Sequence, residues 1–206
     1  MVVGLGTGST VRYFIEHLSL KVKEGLNILG VATSVQTERW ATNAGIELTT
    51  LEKHKEIDVA IDGADEVDPA LNLIKGMGGA LFREKIVAKT AKQFIVIIDS
   101  SKLVKTLGEH TPVPVEMHQF GWKATMAWLS AFNCATTLRK EGGSPFITDN
   151  GNFIVDCTFE LIDNPAELEM QINNVPGVVD NGIFINMADL VIVGKGNEVK
   201  RLERIK

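Results

Sequence analysis

The chain has 206 residues, enough for one or two modest domains with a core that folds without staples. Its 45% hydrophobic and 23% charged residues are the balance of an ordinary globular protein, and a net charge of −5 argues against broad nucleic-acid binding. Apolar runs such as Phe94–Ile98 are far too short to span a bilayer, and two cysteines 23 positions apart, Cys134 and Cys157, argue against a disulfide scaffold, a CxxC redox pair and a cysteine zinc cage.

Val2–Leu5 reads as a strand entering the loop Gly6-Thr7-Gly8-Ser9-Thr10. Val11, Ile15, Leu18 and Val22 then recur at helical spacing, the inward stripe of a helix. Leu26–Ala32 is expected as a second strand, Ser34–Ala44 as a short helix stopped by Gly45, and Ile46–Leu48 as a short strand. Ile57–Ile61 is an apolar strand ending at Asp62, Ala80–Ala91 a helix and Phe94–Asp99 another buried strand. Strands alternating with helices imply a parallel sheet covered on both faces.

The pattern changes near Thr111-Pro112-Val113-Pro114. Val113–His118 is expected as a strand, and Trp122, Met126, Leu129, Phe132 and Thr136 as one helical face. Pro145–Thr148 and Phe153–Thr158 flank Asp149-Asn150-Gly151-Asn152, a hairpin signal. Asn164 and Pro165 open a helix through Asn173, and Val178–Ile185 is the last strand of this part. The order β-α-β-β-α-β is that of a ferredoxin-like unit, and Ala188–Val193 returns to the first sheet. The expected fold class is therefore α/β, a Rossmann-like parallel sheet with helices on both faces, plus an inserted small α+β (ferredoxin-like) domain. The parent domain is residues 1–110 with 186–206, and the insert is 111–185.

Four segments can carry chemistry. Backbone amides of Gly4-Leu5-Gly6-Thr7-Gly8-Ser9-Thr10 at a helix N-terminus, with hydroxyls beside them, make an anion site. A dinucleotide fingerprint would need glycine where Ser9 stands and an acid after the second strand, where Gly30-Val31-Ala32-Thr33 has none. A methyltransferase-type loop would want an acid at Val2. Phosphate binding and a plain glycine turn stay open for this segment alone. Asp62-Gly63-Ala64-Asp65-Glu66-Val67-Asp68 follows a parallel strand, where open α/β sheets bind ligands. Its spacing fails the calcium-loop template, so sugar-hydroxyl contacts, proton shuttling and an ordinary capping loop remain. Lys75-Gly76-Met77-Gly78-Gly79 opens a helix carrying Glu84: an ammonium and amides for a developing oxyanion, and a carboxylate for a base. Lys102, in Asp99-Ser100-Ser101-Lys102, lies at another strand's carboxyl end and is a candidate phosphate or hydroxyl contact. His17, His54, His110 and His118 have no consistent metal spacing.

Taken together and in this order, the four segments resemble the ribose-5-phosphate isomerase type A family over essentially the whole chain. The resemblance implies that Thr7, Gly8, Ser9 and Thr10 form a substrate loop. It implies that Asp62, Gly63, Ala64 and Asp65 form an acidic substrate loop, and Lys75, Gly76, Met77 and Gly78 a lysine-glycine loop. Glu84 matches the proton acceptor and Lys102 a substrate-binding lysine, with Asp62 and Lys75 also serving the chemistry. The implied reaction interconverts ribose 5-phosphate and ribulose 5-phosphate with no metal or organic cofactor, in a homodimer or a dimer of dimers. Nucleic acid and membrane are not expected partners. Two features depart from the family pattern: family members begin with a further helix before the first strand, and Met77 stands where a glycine is common. The rival reading is a non-catalytic sugar-phosphate sensor domain. The opening MVVGLGTGST lacks the features of a secretory signal, so the cytoplasm, or an organelle stroma after removal of a transit segment, is the expected location.

Overall fold

The computed structural model describes residues 1–204. In chain order, the first elements are β1 (Val2–Leu5), α1 (Ser9–Lys23), β2 (Leu29–Ala32), α2 (Val35–Asn43), β3 (Val59–Asp62), β4 (Glu66–Val67), β5 (Leu73–Ile74), α3 (Leu81–Thr90) and β6 (Phe94–Asp99). Then come β7 (Val113–Met117), α4 (Trp122–Ser130), β8 (Ala135–Leu138), β9 (Lys140–Glu141), β10 (Ser144–Pro145) and β11 (Phe153–Thr158). The last are α5 (Pro165–Asn173), β12 (Val178–Asn181), β13 (Ile183–Phe184), β14 (Leu190–Lys195) and β15 (Glu198–Glu203). They form two compact units: Met1–Ala64 with Arg83–Ser100 and Met187–Lys206, and Asp65–Phe82 with Ser101–Asn186.

The first unit is a six-stranded sheet in the order β15-β14-β6-β3-β1-β2. All neighbours are parallel except the edge pair β14–β15. Val11 and Ile15 of α1 are buried with Val3, Leu5 and Ile61 of the sheet, and Leu18 and Val22 complete the stripe read from the sequence. Each fully buried Ile or Leu of this kind contributes about 1.5–3 kcal/mol of hydrophobic stabilisation. Gly4 alternates to the opposite face, where Val87 of α3 lies so close that a Cβ would overlap it. Ser34 caps α2 by accepting the Thr37 amide at 3.0 Å. The expected strand at Ile46–Leu48 is reduced to one bridge between Gly30 and Leu48.

The second unit holds a four-stranded antiparallel sheet in the order β12-β7-β11-β8 and a three-stranded sheet β13-β5-β4. Met117, Val155 and Cys157 of the larger sheet, Leu129 of α4 and Ile172 of α5 share its core. The β-α-β-β-α-β order stands, but its second strand is β8. Thr136 therefore lies in a strand, because α4 ends at Ser130. Phe153–Thr158 pairs with β7 and β8 rather than with Pro145–Thr148, and the Asp149–Asn152 turn is closed by Thr148 donating to Asn152 at 2.9 Å. Val178–Ile185 divides at Gly182 into β12 and β13, which belong to different sheets. Residues 65–82 and 101–110, expected with the parent domain, group with the second unit. There β4 and β5 pair with each other and with β13, and Val67 bridges Leu103.

Candidate active site

In the first unit the chain leaves β1 for β2 on one side and returns to β3 on the other. The carboxyl ends of β1 and β3 therefore flank the point where strand order reverses, the position at which open parallel sheets bind ligands. The loop after β1 carries Thr7–Thr10, and β3 ends at Asp62. Asp62 is buried, and its Oδ1 accepts the Thr7 amide at 3.1 Å and the Gly63 amide at 2.7 Å. A Cβ on Gly6 would overlap the Asp62 carboxyl group, so only glycine lets these loops approach. Gly8 caps α1, and Ser9 and Thr10 stand exposed in its first turn, where backbone N–H groups have no helical acceptor.

Thr7 has a different environment from its neighbours. Its hydroxyl lies 2.8 Å from those of Thr33 and Ser34 and 3.1 Å from that of Thr37, and Thr37 donates to the Gly6 carbonyl at 2.7 Å. This buried hydroxyl cluster ties the glycine loop to the end of β2 and the start of α2. The only local sign of this cluster in the sequence is the helix-cap spacing of Ser34 and Thr37, and nothing there ties them or Thr33 to Thr7. Glu84 is buried in the first turn of α3, an end of a helix where negative side chains are favoured.

In the second unit, Lys75 follows β5. It is buried, its amide donates to Gly182 at 2.8 Å and its ammonium lies 5.6 Å from the centre of the Phe184 ring. Asp65 accepts the Met77 amide at 3.0 Å, which joins the acidic loop to the lysine-glycine loop. The Met77 side chain is exposed, with its sulfur 3.8 Å from Nη2 of Arg139. Gly78 is exposed. Lys102 is half-buried and closes a single 3-10 turn after β6.

The other two acids of this segment are structural. Glu66 is fully buried and accepts the amides of Gly108 at 2.6 Å, His110 at 2.7 Å and Thr111 at 2.6 Å. Asp68 accepts the amide and the side chain of Asn72 at 2.8 and 3.0 Å. Both carboxylates are committed to backbone turns, and among the described residues no group of three or more His, Cys, Asp or Glu is arranged to hold a metal ion. A cavity of 390 Å³ at the end of β2, lined by Val31, Leu48, Glu52, Arg83 and Ile86 among others, is lined by none of the candidate residues.

The family described as ribose 5-phosphate isomerase A (phosphoriboisomerase A) matches residues 29–198. The chain is 51% identical to ribose-5-phosphate isomerase A of Pyrococcus abyssi over 210 aligned positions, covering 99% of this chain and 91% of the relative. A solved D-ribose-5-phosphate isomerase in complex with phospho-erythronic acid superposes with a TM-score of 0.96 at 50% identity, covering 99% of this chain and 91% of that one. The ribose 5-phosphate isomerase of Plasmodium falciparum superposes with a TM-score of 0.96 at 44% identity, covering all of this chain and 92% of that one. This chain belongs to the ribose 5-phosphate isomerase A family.

Proposed function

We infer that the chain is an aldose–ketose isomerase interconverting D-ribose 5-phosphate and D-ribulose 5-phosphate. The observation that carries this reading is identity of about half over nearly the full length of relatives named for that activity. The buried carboxylate at the strand-order switch supports it from the chemistry.

The reaction moves one proton between neighbouring carbons of the open-chain sugar phosphate. Glu84 takes the proton from C2 of the aldose and returns it to C1, through an enediolate. Such a base contributes on the order of 10²–10⁴-fold. Negative charge builds on the substrate oxygen, and Lys75 with the amides of Gly76 and Gly78 stabilises it. Losing one such donor typically costs about 2.7–4 kcal/mol. Asp62 carries the hydroxyl proton from O2 to O1, and Asp65 holds a hydroxyl. Ser9, Thr10 and Lys102 anchor the phosphate or distal hydroxyls, which positions the reacting carbons. Gly8, Gly63 and Ala64 complete the backbone of these loops. This reading gives every step to the chain's own groups, with no metal or organic cofactor.

The assembly proposed is a homodimer or a dimer of dimers in the cytoplasm. Exposed Phe120 and Trp128 are apolar side chains that subunit contacts would cover. The test of function is an aldose–ketose assay on ribose 5-phosphate beside other pentose and hexose phosphates, with and without chelator. Turnover selective for ribose 5-phosphate and indifferent to chelator is expected. Binding without turnover would instead make the chain a sugar-phosphate sensor.

A further inference from the structure

The glycine loop after β5 is gripped by a residue distant in the chain. Nη1 of Arg139 donates to the carbonyls of Gly76 at 2.8 Å and Met77 at 3.1 Å. The same guanidinium is held by Asp156, through Nε at 3.0 Å and through a second bond from Nη2. Both side chains are largely buried, at 12% and 18% exposure, so this fork is little screened by solvent. Arg139 lies just past β8, its amide donating to Ile154 at 2.8 Å, and Asp156 lies two residues further along β11. The hairpin continuing from Arg139 returns at Phe146, whose ring lies against Gly79 so closely that a Cβ there would overlap it.

Peptide geometry turns this grip into aim. In a planar trans peptide the C=O and the N–H point in opposite directions. The Gly76 carbonyl faces Arg139 and the Met77 amide, across the same peptide, faces Asp65. That plane is held at both ends. The Met77 carbonyl also faces Arg139, so the Gly78 amide of that peptide points away from the guanidinium, on an exposed residue. We propose that Arg139, oriented by Asp156, is a positioning residue for the isomerase: by holding the Gly76 and Met77 carbonyls it aims the Gly78 amide at the substrate oxygen that gains charge. The proposal rests on the isomerase reading above. Arginine suits the task because its planar fork serves two carbonyls and a carboxylate at once, which a lysine ammonium does not.

The experiment compares the parent chain with Arg139→Ala, Arg139→Lys and Asp156→Asn in ribose 5-phosphate isomerisation, with melting temperatures recorded in parallel. Misplacing a transition-state donor by about 1 Å costs on the order of 100-fold. The expected result is therefore a kcat for Arg139→Ala lower by about 10- to 100-fold, a KM within about threefold of the parent, and partial recovery on adding guanidinium. Affinity for phospho-erythronic acid should fall with kcat, whereas affinity for inorganic phosphate should not move. If Arg139→Ala fails to fold, the lysine variant carries the test: lower kcat at an unchanged melting temperature supports the proposal. Parent-like kcat in a folded Arg139 variant overturns it while leaving the isomerase reading intact. A parent chain with no turnover overturns both.

Discussion

Oδ1 of Asp62, the last residue of β3, accepts the backbone amide of Thr7, in the loop after β1, at 3.1 Å. One carboxylate oxygen thus joins the two loops that flank the strand-order switch, and Gly6 lets them meet. Gly6→Ala should break this junction. A forced overlap in a packed site costs about 1–3 kcal/mol, and Asp62 must move to relieve it. Lower stability in urea together with a loss of isomerisation larger than the unfolded fraction explains is the expected outcome. An active, equally stable Gly6→Ala chain would remove the junction from the site's design.

Glu84→Gln keeps the shape and burial of the side chain and removes its basicity. The expected loss in kcat is about 10²–10⁴-fold, with KM and melting temperature close to the parent. Steady-state kinetics and a thermal melt decide it. Substantial remaining turnover would assign the base elsewhere.

Glu66→Ala should act on stability. It leaves the amides of Gly108, His110 and Thr111 without their buried acceptor. Each buried group so orphaned costs about 1–3 kcal/mol, so a total of roughly 3 kcal/mol or more is expected from urea unfolding. Glu66→Gln, which keeps an acceptor oxygen, should cost less. A change in unfolding midpoint no larger than that of an exposed glutamate would contradict the assignment.

Asp58 gives the fold an acid-side pH dependence. The Val2 amide, donating to it at 2.8 Å, holds its carboxyl below the usual carboxylate range, with help from the charge of Lys92. The folded state therefore binds this proton less readily than the unfolded chain. The resulting stability is complete above the ordinary carboxylate range and is lost as pH falls through the lowered folded value. Melting temperatures at neutral pH and at about pH 3 should differ less in Asp58→Asn than in the parent. An unchanged difference would show that Asp58 contributes no such linkage.

The sequence by itself determined the alternation of strand and helix in the first unit, the stripe Val11-Ile15-Leu18-Val22, the loops at the ends of β1, β3, β5 and β6, and through their order the family. These are repeats or neighbours within a few residues, where burial and turn chemistry write directly into residue type. Tertiary structure decided what each group is committed to. Thr7 turned inward to a hydroxyl cluster drawn from the end of β2 and the start of α2. Glu66 went to backbone amides more than forty positions away, as an acid indistinguishable in sequence from Asp62 and Asp65. The second strand of the small unit is Ala135–Leu138, where Thr136 falls four residues after Phe132 and so keeps step with the helical stripe although α4 has ended at Ser130. Arg139 met Gly76 and Met77 across more than sixty positions, and no local pattern foretells that meeting. Short-range solvation leaves a period in the chain, whereas a hydrogen bond between distant segments leaves none until the sheets that carry them have formed.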